Sequence, residues 1–381
     1  MLTFRRTLKK TVQKTDFILL LLTLILIIFG VIMVFSASYY YALSKFNNAF
    51  HFLIRDGIYA GGGIILMLFL SRVDYKKYRK WAFPFLVAVI IMLGLLFVPG
   101  LGRTVNGATR WLDLKVITIM PGELAKLAVI LYTAAFLTNG REKLRKPGAV
   151  LWLMAIGGII GVLIMLQPNM STACTVILIM GAIMFVDGLS WKWIFGIGSL
   201  GVAAGVALII HEGGYKLQRV TSFLHPFDDP LGDGYQVVQG LLAMGSGGLF
   251  GAGLGHSMQK NLYLPEPQND FILAIIGEEL GFIGVAILML VYLALIWRCI
   301  KIALDAPDRF SMLLASGITA MIAIQVVFNI AIVTSSMPPT GVILPFVSYG
   351  GNALLMLCAS MGIMLNISHH ADEVEEEEII E

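Results

Sequence analysis

Asp270, Glu278 and Glu279 lie within one short stretch at the edge of a long apolar run. Asp270 stands just before the run, where a carboxylate is tolerated at the water boundary and can take a proton from a hydroxyl. Glu278 and Glu279 lie about two turns inside it, where ionisable groups are expensive and call for a polar interior or a basic partner. Asn269 or Asp270 would also serve as the cap of a helix beginning at Phe271. Spacing alone leaves capping and proton transfer equally open, and the two roles can coexist.

A second constellation gathers Arg103, Asn106, Arg110, Trp111, Asp113 and Lys115 between two apolar runs. Trp111 could anchor this segment at headgroup depth. The arginines suit a phosphate, a pyrophosphate or an acidic lipid headgroup, because the guanidinium fork donates two hydrogen bonds at once. Next, Pro121 opens a helix and sets Glu123 and Lys126 on one face, three residues apart. The pair reads as an ion pair that helps bury both charges, and Lys126 could also present charge to a lipid phosphate. Arg219 precedes a polar stretch, HPFDDP at 225–230, at the start of a long loop.

The elements that must position these groups are membrane helices. The 381 residues are 58% hydrophobic and 13% charged. Ten spans are expected, near 17–36, 54–70, 81–99, 121–138, 149–166, 170–187, 193–210, 271–297, 311–335 and 341–366. The fold class expected is an all-α polytopic membrane protein of ten helices. A long extracytoplasmic loop, 211–269, joins helices seven and eight and is longer than a connection needs. Within it, Tyr235 to Phe250 reads as a short helix, and Gly251 to Gly255 as a tight or flexible link.

Most of the 27 basic residues fall in the N-terminal tail and in every second loop, including Arg72, Lys76, Lys77, Arg79 and Lys80. The positive-inside rule makes those segments cytoplasmic, and an even span count brings the C-terminus to the same side. The expected layout is a cytoplasmic tail at 1–16, a membrane domain at 17–366 and an acidic cytoplasmic tail at 367–381. The first span reads as uncleaved, its apolar core being too long for a signal peptide. Gly61-Gly62-Gly63 would let helices approach closely. Cys174, Cys299 and Cys358 are too scattered for a disulfide framework, and neither a zinc pattern nor a nucleotide-binding motif is present.

Taken together, NGATRWLDL at 106–114, PGELAKLAVILY at 121–132, MLQPNMSTA at 165–173, the stretch 219–284 that contains LPEPQNDF, and PPTGVILPFVSYGGNALL at 338–355 give an ordered pattern. It resembles the SEDS family (shape, elongation, division and sporulation), whose members include FtsW, RodA and SpoVE. The resemblance covers about residues 12–368. Gln268-Asn269 stands where the family commonly has His-Thr, and TGVILPFVSYGG is closer to the division and sporulation branch than to the elongation branch.

The resemblance implies a ten-helix bundle with both ends cytoplasmic in the bacterial plasma membrane. It implies a peptidoglycan glycosyltransferase that polymerises lipid II at the outer face. The family's catalytic acid falls on Asp270, its outer-loop arginine on Arg110, and its glutamate and lysine on Glu123 and Lys126. Arg110 and Lys126, with Arg219, would face the pyrophosphate, while Glu123, Glu278 and Glu279 support the site. A divalent cation such as Mg or Mn at Asp270 would offset negative charge. The implied partners are a class B penicillin-binding protein, lipid II, glycan linked to undecaprenyl pyrophosphate, and other division or elongation membrane proteins, with no nucleic acid. A lipid flippase and a non-catalytic scaffold share the same membrane bundle and are the competing classes.

Overall fold

The computed structural model describes residues 16–380 apart from 106, 114, 116–117, 141–143, 145, 194, 197–198, 200–222, 224 and 233. The helices are α1 (Phe17–Phe46), α2 (His51–Leu70), α3 (Lys76–Leu95), α4 (Pro121–Thr138), α5 (Pro147–Met165) and α6 (Met170–Val186). They continue with α7 (Tyr235–Ser246), α8 (Ile272–Leu304), α9 (Arg309–Val333) and α10 (Gly351–Ile380). Among the described residues, 8 helices are long and apolar enough to cross a bilayer, and α6 is a shorter apolar helix. The protein is therefore an all-α polytopic membrane protein with about eight long apolar helices. Most of the expected span at 193–210 lies outside the described residues, and so does Arg219.

The short helix expected from Tyr235 is α7. The tenth expected span is shorter than its apolar sequence suggested. Its helix starts at Gly351, and 338–350 follows an irregular course with left-handed backbone at Gly341 and Phe346. The segment is apolar because it packs inside the bundle: Val342, Leu344, Phe346 and Val347 are buried. It passes so close to α1 that a Cβ on Gly30 would sit 2.3 Å from the Phe346 carbonyl oxygen.

The loop before α4 forms a small antiparallel sheet of β1 (Gly102–Val105), β2 (Ala108–Asp113) and β3 (Thr118–Ile119). Gly107 turns the β1–β2 hairpin at φ +76°, and Arg103 pairs with Trp111 across it. Arg110 is the extra residue at a β-bulge in this hairpin, between the Arg103–Trp111 and Thr104–Thr109 pairs.

Helix α4 is the central helix, with 78% of its apolar window buried, and it packs against α3, α6 and α9. Pro121 in its first turn fits the expected helix start. Of the glycine triplet on α2, Gly63 makes the close approach: a Cβ there would lie 2.8 Å from the Cys358 sulfur of α10, whereas Gly61 faces open space.

Polar cross-braces tie the opposite end of the bundle, where α3 and α9 begin. Arg298 pairs with Asp16, the α1 N-cap, at 2.7 Å. Arg309 pairs with Asp187 at 2.5 Å. Asn366 on α10 accepts from the Tyr75 amide at 2.8 Å and donates to the Ser71 carbonyl at 2.9 Å. The Tyr75 hydroxyl donates to Asp308, which also caps α9 in a capping box with Ser311. Burial, then the hydrogen bond to Asp308, pushes the Tyr75 phenol well above its usual range and keeps it a donor.

Candidate functional site

Asp270 is half-buried at the mouth of α8, and its main chain is held from two sides. The Asn329 side-chain amide on α9 donates to the Asp270 carbonyl and to the Val342 carbonyl, each at 2.8 Å. Two residues earlier, the Gln268 carbonyl accepts from the Tyr349 amide at 2.9 Å. Gly341 lies against the acid itself, since a Cβ on it would be 3.9 Å from Asp270 Oδ2. The segments around 329 and 341–349 therefore converge on the main chain that carries this carboxylate.

The helix does not begin as spacing suggested. Its N-cap is Phe271, without a side-chain cap, and α8 starts at Ile272. The Asn269 amide instead donates to Glu266 at 2.8 Å. Phe271 is fully buried against α7, where a Cβ on Gly240 would come within 2.7 Å of its ring. Core packing of Phe271 sets the helix start, and a polar cap is not needed.

One turn along α9 from Asn329, Gln325 accepts from Lys126 at 3.2 Å. Residues four apart share a helix face about 5–6 Å apart, so one face of α9 links the Asp270 backbone to Lys126. Glu123 and Lys126 form a 2.6 Å ion pair and are both buried. The carboxylate also lies in the first turn of α4, where the helix dipole favours negative charge.

Arg110 donates to the Pro168 carbonyl. The next residue, Asn169, caps α6 by accepting from the Thr172 amide, and this turn packs on the start of α4. A Cβ on Gly122 would lie 3.3 Å from Thr172. On the other side, the Asn352 amide donates to the Thr118 carbonyl of β3 at 3.0 Å. The sheet is thus fastened over the same end of the bundle as Asp270, Lys126 and Glu123.

Glu278 and Glu279 are buried and saturated with donors. Lys260 pairs with Glu279 at 2.7 Å and also reaches the Ser36 hydroxyl of α1 at 3.1 Å. Ser36 donates to Glu279 at 2.8 Å. Glu278 accepts from the Ser257 hydroxyl and from the Met258 amide at 2.8 Å. The expected basic partner is therefore Lys260, with hydroxyls and amides completing both shells.

Just beyond, α8 breaks at Gly281, whose φ is +67°. The 247–253 link fills the break: the Ala252 and Gly253 amides donate to the Glu278 and Glu279 carbonyls at 2.9 and 3.0 Å. A Cβ on Gly281 would stand 2.3 Å from the Gly251 nitrogen, so backbone approaches backbone where only glycine fits.

Sequence reasoning missed Asn329, Gln325, Lys260 and Ser36. Lys260 was readable as a lone cation shortly before the acidic stretch. The polar residues Gln325 and Asn329, four apart in an apolar helix, carried a signal of their own. Ser36 carried none. Among the described residues no group of three or more His, Cys, Asp or Glu is placed to hold a metal. A single carboxylate at Asp270 fits a Mg-like ion of the kind shared with substrate phosphates, which needs only one or two protein carboxylates.

A family model for FtsW, RodA and SpoVE, described as a cell cycle protein, matches residues 16–373. Stage V sporulation protein E of Bacillus subtilis (strain 168) is 41% identical over 367 residues, covering 95% of this chain and 99% of that protein. The "Probable peptidoglycan glycosyltransferase FtsW" of Geobacter sp. (strain M18) is 40% identical over 361 residues, covering 94% and 98%. Among solved structures, a chain from work on "Structural coordination of polymerization and crosslinking by a peptidoglycan synthase complex" superposes with a TM-score of 0.76 at 28% identity, covering 94% and 98%. The rod shape determining protein RodA of Thermus thermophilus gives 0.66 at 28% identity, covering 93% and 96%.

Proposed function

The chain belongs to the FtsW, RodA and SpoVE family, and on that premise we propose that it is a peptidoglycan glycosyltransferase that polymerises lipid II. The observation that carries the reading is the placement of Asp270: a half-buried carboxylate, pinned through its backbone by Asn329, on the α9 face that also holds Lys126.

In the proposed reaction Asp270 is the general base. It takes the proton of the 4-hydroxyl of an acceptor lipid II as that oxygen attacks C1 of the growing chain's terminal MurNAc. The C1–oxygen bond to pyrophosphate breaks, and the electron pair leaves with undecaprenyl pyrophosphate. Attack opposite the leaving group inverts the sugar carbon and turns the alpha linkage into a beta linkage. Pyrophosphate is a good leaving group, so a second carboxylic acid is not required. Arg110 and Lys126, with Arg219, would stabilise the charge that develops on it. A divalent cation held by Asp270 and the substrate phosphates would supply further charge neutralisation. Glu123 holds Lys126 in place, and Glu278 and Glu279 anchor the 257–260 segment and α1 to α8 just before its break.

The same reading sets both termini in the cytoplasm, ten spans in the bacterial plasma membrane and the site facing outward. It places 211–269 outside the membrane, with the tails 1–16 and 367–381 inside. A class B penicillin-binding protein transpeptidase is the proposed partner, and the division and sporulation branch the proposed affiliation.

Polymerisation of purified lipid II, with and without the transpeptidase, tests the reading. Glycan from the wild type and none from an equally folded Asp270→Asn protein is expected. Full turnover by Asp270→Asn would remove the base. No polymer from the wild type with its partner present would move the protein to lipid translocation or scaffolding. Arg110→Ala is expected to weaken binding of lipid pyrophosphate more than it lowers thermal stability, and unchanged binding would take Arg110 out of that role.

A further inference from the structure

A cavity of about 750 Å³ opens where α3 and α9 begin and α4 ends. It lies far from Asp270. Along α9 the distance from Phe310, in the cavity wall, to Asn329 is about 28 Å at 1.5 Å per residue. That is close to the thickness of a bilayer's hydrocarbon core, about 30 Å. The cavity therefore sits at the opposite membrane boundary from the proposed catalytic end.

Its lining divides by chemistry. Lys76, Arg79, Lys80 and Arg309 contribute four cations, against the single carboxylate of Asp308. Asp308 is already engaged by the Tyr75 hydroxyl and by its own capping box. Arg309 is paired with Asp187, and Arg79 donates to Asn139. Lys76 stands 5.9 Å over the Tyr75 ring. Lys80 makes no hydrogen bond or ion pair among the described residues. The wall thus keeps a net positive charge, concentrated on the first turns of α3.

The rest of the lining is aromatic. Phe83, Tyr132 and Phe136 form a continuous row, with ring centroids 6.2 and 6.0 Å apart. Phe83 is 60% exposed and leaves an apolar face open at the cavity's edge. The Tyr132 hydroxyl is held by the Trp152 indole at 3.0 Å, so the row keeps its orientation. A soluble anion would use the cations and make no use of the exposed Phe83 face. A ligand with a phosphate at one end and hydrocarbon at the other satisfies both parts.

We infer that this cavity is a binding site for an anionic phospholipid, with its phosphate against Lys76, Arg79 and Lys80 and its acyl chain along Phe83, Tyr132 and Phe136. Basic pockets between membrane helices at the cytoplasmic side suit such headgroups. The site is separate from the proposed transferase chemistry and does not depend on it.

Native mass spectrometry of the purified full chain in neutral detergent tests the assignment, with phosphatidylglycerol or phosphatidylcholine titrated in. Phosphatidylglycerol is expected to be retained at least about tenfold more tightly. The double variant Lys76→Gln/Lys80→Gln should lose about tenfold of that retention. Arg72→Gln/Lys77→Gln removes two charges from the same segment but none from the cavity wall, and should retain the lipid. Phe83→Ala should weaken phosphatidylglycerol binding. Equal retention of the two lipids, or equal loss in the two double variants, would overturn the site. Displacement by submillimolar inorganic phosphate, with Phe83→Ala silent, would assign a free anion and overturn the lipid.

Discussion

Asp270 and the Glu278–Glu279 pair belong to one short segment, yet the fold treats them in opposite ways. Glu279 is fully buried beneath a lysine and a serine, and Glu278 beneath a serine and backbone amides. Asp270 remains half-buried, and the fold grips its backbone through Asn329. A carboxylate whose oxygens are saturated with donors has little left to offer a substrate. One fixed by its main chain and only half-buried has a defined position that solvent can still reach. On the proposed reading, the contrast separates a structural anchor from the general base, although both are acids beside the same helix.

Variants can break or sharpen that contrast. The largest expected effect on stability comes from Glu279→Gln. It leaves Lys260 as a buried cation without its counter-charge, which costs about 3–5 kcal/mol. The double variant Glu279→Gln/Lys260→Met should recover most of the loss. Thermal unfolding in detergent reads both, and a single variant as stable as wild type would show that the pair is not an anchor.

Asn329→Leu comes next. It removes the donor shared by the Asp270 and Val342 carbonyls and leaves buried acceptors unmade, at about 1–3 kcal/mol each. Because it also loosens the backbone under Asp270, turnover should fall by about tenfold or more while lipid binding stays near normal. A drop in binding with unchanged turnover would contradict a positioning role. The smallest effect is expected for Gln325→Met, which takes one hydrogen bond from a lysine that keeps its ion pair. About 0.5–1.5 kcal/mol is at stake, read as a small shift in unfolding temperature.

Much of the frame was legible in the chain because apolar run length is what a bilayer selects. Helices near 17, 121, 149, 170 and 309 follow the apolar runs. The polar residues lying in or beside those runs, Glu123, Lys126, Glu278 and Glu279, belong to buried networks. Apolarity alone could not distinguish a span from a buried loop, which is why 341–350 read as helix. The break at Gly281 was hidden because glycine is common inside membrane helices and the run after it is apolar without interruption. The small sheet escaped notice because its strands are only 4, 6 and 2 residues long. Partners such as Ser36 and Lys260, 224 residues apart, meet only through tertiary packing, and no local pattern joins them.

The most direct measurement of the central claim is glycan formation from purified lipid II by wild type and Asp270→Asn, each with the proposed transpeptidase partner. Helical content and unfolding temperature should be matched between the two. The account predicts polymer from the wild type and a fall of about 10²–10⁴-fold in the variant with its fold unchanged. Polymerisation by Asp270→Asn at the wild-type rate would contradict it.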